Sequence, residues 1–237
     1  WVVSATGKWQ NAYLALLIAG AAMLLLVIPT VSRFAPPESE KSATARVTPA
    51  ALKAYFKTRG NAGLMASLFF YGFYLMGMIV WIKRYTEAGL QSGLGALALS
   101  SLYLGITASR LLLPVLPISV RAFLRFGNLA AGLVLGAGIL YGNAPVLCAA
   151  VILSSLLSGA MIPASLSLSC ARFAQNTFLA STLSNLFLLT GHIIASPAIG
   201  ALESVWGLRA AMLLCPLALL IAGAFGFFTP SKEEVTT

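Results

Sequence analysis

Apolar residues in this chain come in long unbroken runs separated by polar, mostly basic connections. Seven runs stand out, over residues 13–31, 62–82, 94–113, 124–141, 145–168, 178–199 and 208–228. A helix needs about 20 mostly apolar residues to cross about 30 Å of hydrocarbon, and only helices or closed barrels satisfy the backbone there. Runs of this length predict helices. The expected fold class is an all-α integral membrane protein with about seven transmembrane helices.

Charge sharpens that picture. Within the runs, cations occur only near the ends, at Arg110, Arg125 and Arg209. A Lys or Arg at the bilayer centre costs on the order of 3 kcal/mol on insertion scales, so this placement is what spanning helices require. If the segment after the first run is cytoplasmic, alternating loops put eleven of the fifteen Lys and Arg residues inside. Only Lys8, Lys83, Arg84 and Arg209 remain outside. By the positive-inside rule this predicts a multi-pass protein of the inner or plasma membrane with a cytoplasmic C-terminus.

Composition then narrows the function. Of 237 residues, 59% are apolar and 9% charged; the six acids are all Glu, and there is one His. Such scarcity argues against hydrolytic and metal chemistry, so no enzyme activity, metal or cofactor is expected. The net charge of +9 sits in loops beside membrane lipid headgroups rather than in a nucleic-acid surface. Cys148, Cys170 and Cys215 lie in or beside apolar runs without metal-ligand spacing and read as small core residues.

The connections divide the chain. Residues 1–32 read as a lone transmembrane helix, 33–60 as a charged cytoplasmic linker ending in a short basic helix from Pro49, 61–230 as a six-helix bundle, and 231–237 as a cytoplasmic tail. Gly142 and Asn143 form a turn tight enough to make the flanking helices antiparallel neighbours. No secretory signal pattern precedes the first run. The start at Trp1 reads as a fragment, a processed chain or a trimmed one, with about five further spans expected upstream.

A lone helix, a charged linker and six helices resemble the second half of a major facilitator transporter. The punctuation is similar to that of the fucose-permease-like sugar:proton symporters. Tyr71-Gly72, Gly77, Trp81 and Tyr85 look like the seventh span of that fold, and Ser100, Leu102, Gly105 and Ser109-Arg110-Leu111 like the eighth. Gly191, Pro197, Gly200 and Gly207-Leu208-Arg209 look like the eleventh span and the outer turn into the twelfth. Two positions depart: Tyr74 stands where the sugar-permease pattern has Glu, and Ser109 where a Gly precedes the loop Arg. The resemblance implies a secondary transporter moving a small solute, with sugar and proton coupling as one branch. It also implies an N-terminal transmembrane half as partner.

Three constellations follow. Tyr71, Tyr74, Met78, Trp81 and Tyr85 recur at three and four residues along one helix face. The resemblance turns that face to the substrate cavity, where aromatic faces stack and polar tips hydrogen-bond; helix packing is the competing reading. Ser154, Ser158, Met161 and Ser165 form a small-residue stripe that serves close packing or, at Ser158 and Met161, the cavity. Ser181, Asn185, His192 and Ser196 line one polar face of the sixth run, with Asn185 and His192 as cavity candidates. The resemblance further gives Gly105 and Arg110 a gating role, while lipid anchoring alone explains an arginine there.

Efflux of apolar metabolites fits the aromatic face as well as sugar uptake does. A membrane scaffold is the remaining alternative. A retinal photoreceptor would need a Lys in the last run, and residues 208–228 contain none.

Overall fold

A computed structural model describes residues 48–116 and 118–228, together with Leu14, Leu17, Ile18, Ala21, Ala22 and Leu25, which are helical. Apart from those six residues, the expected first span lies outside the described residues, as do 33–47 of the linker and the 231–237 tail. The chain divides into two compact units, residues 1–45 and 46–237. Among the described residues the regular elements of the second unit are all helices.

Its first helix is α1 (Pro49–Lys57), with Pro at its start and the Thr48 hydroxyl accepting from the Ala51 N–H at 3.2 Å. Helix α2 (Asn61–Arg84) runs on through a π-helical turn, Tyr85–Gly89, and α3 (Gly95–Leu112) follows. A three-residue helix and a second π-helical turn, Phe123–Gly127, lead into α4 (Asn128–Tyr141). Then come α5 (Ala144–Ser158), α6 (Met161–Arg172), α7 (Thr177–Met212) and α8 (Leu214–Gly226).

Five stretches are long and apolar enough to cross a membrane: Asn61–Gly89, Gly95–Leu112, Val120–Tyr141, Ala144–Arg172 and Ala174–Met212. The last apolar helix, Leu214–Gly226, is shorter. This is the architecture of a membrane-embedded multi-pass protein. Five such helices, rather than seven, stand among the described residues.

One break differs from a plain reading of the apolar runs. The 145–168 run is two helices, α5 and α6, parted at Gly159 and Ala160. The 178–199 run continues as helix past residue 199 to a kink at Gly207 (φ 81°, ψ 164°), a backbone geometry open to glycine, which parts it from a second helical stretch ending at Met212. The tight turn at Gly142 is as expected, with φ 73° there and the Asn143 side chain accepting from the Val146 N–H at 3.3 Å.

Packing places α2 at the centre. An 18-residue window of the α2 stretch is 61% buried, against 39% for α3. The principal helix pairs are α2 with α7, α8 and α3; α5 with α3 and α4; α4 with α8; and α6 with α7. Counting α5 and α6 as one span, exchange the first span with the fourth, the second with the fifth and the third with the sixth. The pair α2–α7 becomes α5–α3, α2–α8 becomes α5–α4, α2–α3 becomes α6–α7, and α4–α8 maps onto itself. The set of principal helix pairs is unchanged by this exchange.

Glycines at equivalent places tighten the two main crossings. At α2–α7, a β-carbon on Gly72 would strike the Leu188 carbonyl, and one on Gly191 the Phe69 carbonyl. At α3–α5, one on Gly105 would strike the Ser155 hydroxyl and the Ile152 carbonyl, and one on Gly159 would come within 2.6 Å of Ile106 Cα. Small residues let helices approach closely enough for dispersion to hold them where lipid supplies no hydrophobic drive.

The basic helix α1 belongs to this bundle rather than to a free linker. Tyr55 is fully buried, shares a hydrogen bond of 2.7 Å with Ser169 of α6, donates to Met65 Sδ at 3.7 Å, and meets Phe173 edge-on at 5.3 Å. Burial pushes its hydroxyl pKa above the ordinary value.

Candidate functional site

The aromatic face of α2 points into the bundle. Tyr71, Tyr74 and Met78 are completely buried and Trp81 nearly so. The Tyr71 and Tyr74 rings lie 5.7 Å apart and tilted. Tyr74 faces Ser154 and Ser158 of α5. Those two hydroxyls donate to their own helix, to the Val151 carbonyl at 3.1 Å and the Ser154 carbonyl at 2.9 Å. The Tyr71 hydroxyl and the Trp81 indole N–H are left without partners among the described residues, and the Tyr74 hydroxyl meets the two serines without a well-formed hydrogen bond. A buried polar group in that condition costs about 1–3 kcal/mol. Such groups mark a place that water or a polar ligand completes.

The break in the fourth span adjoins this cluster, since Ser158 is followed directly by Gly159 and Ala160. Met161 opens α6, and its sulfur accepts from Asn128 Nδ2 at 3.1 Å and from the Ser165 hydroxyl at 3.6 Å. Helix α3 stitches the break from outside. The Ser109 hydroxyl accepts from the Ala160 N–H at 3.0 Å, and Arg110 Nε donates to the Gly159 carbonyl at 3.4 Å. Gly105 lies one turn back, with its Cα against Ser155. The gating candidates Gly105 and Arg110 therefore both touch the fourth span beside its discontinuity.

Asn185 and His192 are not brought to the tyrosines. Asn185 is exposed and donates to the Ser181 carbonyl at 3.1 Å. His192 is half-buried, and its Nε2 has no partner among the described residues. With half-exposed Ser181 and Ser196, Asn185 forms a partly exposed polar stripe on α7, whereas His192 on the same helix has its Nε2 buried. Helix α3 presents a similar stripe, Ser100, Tyr103, Thr107 and Arg110, all exposed at spacings of three, four and three. Beside it runs an exposed leucine stripe, Leu97, Leu104 and Leu111. The leucines suit lipid. A polar stripe in hydrocarbon is costly, so those side chains call for water or another polypeptide.

The opposite end of the bundle is ion-paired. Arg84 meets Glu203 at 2.7 Å and lies 5.1 Å over the Trp81 ring, Lys83 reaches Glu87 at 3.9 Å, and Arg209 donates to the Leu140 carbonyl. These contacts tie α2, α4 and α7 together where the chain leaves the apolar region.

Ser109 enters the site through its contact with the break, whereas in sequence it shows only as a departure from Gly. Asn128 is legible as a lone amide at the head of an apolar run, and the α3 stripe as a polar periodicity of three and four. No protein-family model, curated protein or solved structure matches this chain.

Proposed function

We propose that the chain forms one half of a secondary transporter of the major facilitator type, moving a small solute by alternating access. The observation that carries this reading is that the principal helix pairs repeat when the first three helical spans are exchanged with the last three, as an inverted repeat would have them. Transporters built from inverted repeats bind their substrate near the midplane, at discontinuous helices, and rock around that site. The interrupted span α5–α6, beside the unpartnered Tyr71 hydroxyl and a Tyr74 hydroxyl without a well-formed hydrogen bond, supplies such a place. Arg110 and Ser109 clip α3 to the break, so that breaking these two bonds would free the fourth span to shift. The polar faces of α3 and α7, with Asn185 and His192, would line the seam with a second six-helix half, which is the expected partner.

In this reading Tyr71, Tyr74, Ser158 and Met161 form the inner, ligand-completing cluster, with Met78 and Trp81 shaping its apolar side. Aromatic faces with polar tips suit a sugar or a flat polyol-like solute. The absence of an acid among these residues leaves any proton coupling to His192 or to the other half. The inner membrane and the cytoplasmic C-terminus follow from the positive-inside asymmetry and belong to the same proposal.

Proteoliposomes holding the full-length protein test it, with a panel of sugars and lipophilic cations offered under an imposed pH gradient. Uptake of one class that falls when Tyr71, Tyr74 or Ser158 is replaced supports the reading. A folded protein that moves no solute in either direction would leave the scaffold reading in its place.

A further inference from the structure

An apolar pocket of about 430 Å³ opens on the bundle surface beside the α3–α5 crossing, away from the tyrosine cluster. Ser109, Leu112 and Leu113 of α3, Leu116 of the connection, and Phe123 and Phe126 of the π-helical turn form its walls. Its only polar side chain is Ser109, whose oxygen already accepts from Ala160. Leu116 and Phe126 are exposed at its edge, so it is open to the surroundings rather than sealed. Water there would find almost nothing to bond with. An apolar chain would fill it.

The charge beside it has one sign. Arg121, half-buried, immediately precedes the lining residue Ala122, Arg125 stands between the lining residues Phe123 and Phe126 in the chain, and both act on the charge of Arg172. The acids among the described residues, Glu87 and Glu203, pair with Lys83 and Arg84 at the opposite end of α3. We propose that this pocket is a binding site for an anionic phospholipid, with one acyl chain lodged between α3 and the π-helical turn and the phosphate held at Arg121. A zwitterionic lipid of the same chains fills the same walls but gains less from the basic mouth. The site adjoins the Ser109 clip, so its occupant bears directly on the α3–α5 crossing. It does not depend on what the protein moves.

Native mass spectrometry of the full-length protein, exchanged between dioleoyl phosphatidylglycerol and dioleoyl phosphatidylcholine, provides the test. The wild type should retain phosphatidylglycerol preferentially. Arg121→Gln should cut that preference about five-fold, the worth of one basic residue near a lipid surface, while keeping phosphatidylcholine retention. Leu112→Trp, which fills the pocket from an exposed position, should lower retention of both lipids. Equal retention by the wild type, an unchanged preference in Arg121→Gln, or unchanged binding in Leu112→Trp would overturn the site. Displacement of the lipid by inorganic phosphate alone would overturn the acyl-chain half, leaving a simple anion site.

Discussion

The crossings α2–α7 and α3–α5 are the same packing solution made twice, and they differ in one respect. At α2–α7 both helices run unbroken through the contact, and the contact surfaces are Gly72, Gly191, Phe69 and Leu188. At α3–α5 the glycines sit equivalently, but one partner is interrupted at Gly159 and Ala160 and is held by the side chains of Ser109 and Arg110. Both seams interlock through glycine backbones, but only α3–α5 also spans an interruption, whose exposed backbone groups are met by side chains of the neighbouring helix. The comparison separates a seam held by backbone packing from one that also depends on two side-chain hydrogen bonds.

The largest effect is expected from breaking the α2–α7 seam. Gly191→Leu drives a side chain into the Phe69 backbone, which cannot yield, and should cost about 3 kcal/mol or more, seen as a large drop in thermal unfolding temperature in detergent. Ser109→Ala probes the α3–α5 seam. It leaves the buried Ala160 N–H without an acceptor and should cost about 1–3 kcal/mol, with transport rates changing even in the fraction that stays folded.

Tyr74→Phe sharpens the contrast by changing function without loss of stability. Removing a buried hydroxyl that lacks a well-formed hydrogen bond should leave the stability equal or raise it by up to about 1 kcal/mol, read from the unfolding temperature, while solute uptake falls. A stability loss instead would mean that the hydroxyl is already satisfied in the empty protein. The smallest effect belongs to Arg84→Ala, at the far end of the α2–α7 seam. Its pair with Glu203 is short, at 2.7 Å, but the arginine is largely exposed, and the change should cost less than about 1 kcal/mol by denaturation.

The apolar runs made most of the spans legible, because the membrane sets helix length directly. The break at Gly159 was not legible, since the run through it stays apolar and the residues that satisfy its backbone come from α3. Gly207, by contrast, sits inside a Gly-Leu-Arg turn pattern and does carry the positive φ. The spacing of Tyr71, Tyr74 and Met78 identifies a face. Its direction is hidden, because a central helix is apolar all round and period alone cannot say which side meets a neighbour. The polarity of Asn185 and His192 could be read as a stripe, but their separation from the tyrosines follows only from which face of α7 packs on α2. The stripe of Ser100, Tyr103 and Thr107 has the same period and gains meaning once α3 is known to expose it.

Cysteine labelling along α3, in membranes holding a full-length protein stripped of Cys148, Cys170 and Cys215, is the most direct test of the whole account. With a membrane-impermeant maleimide, single cysteines at positions 100, 103 and 107 should react and those at 97, 104 and 111 should stay unlabelled, the polar stripe facing a watery seam and the leucines facing lipid. Protection of all six positions, or labelling of the leucine stripe instead, would contradict a pathway along this face and with it the transporter reading.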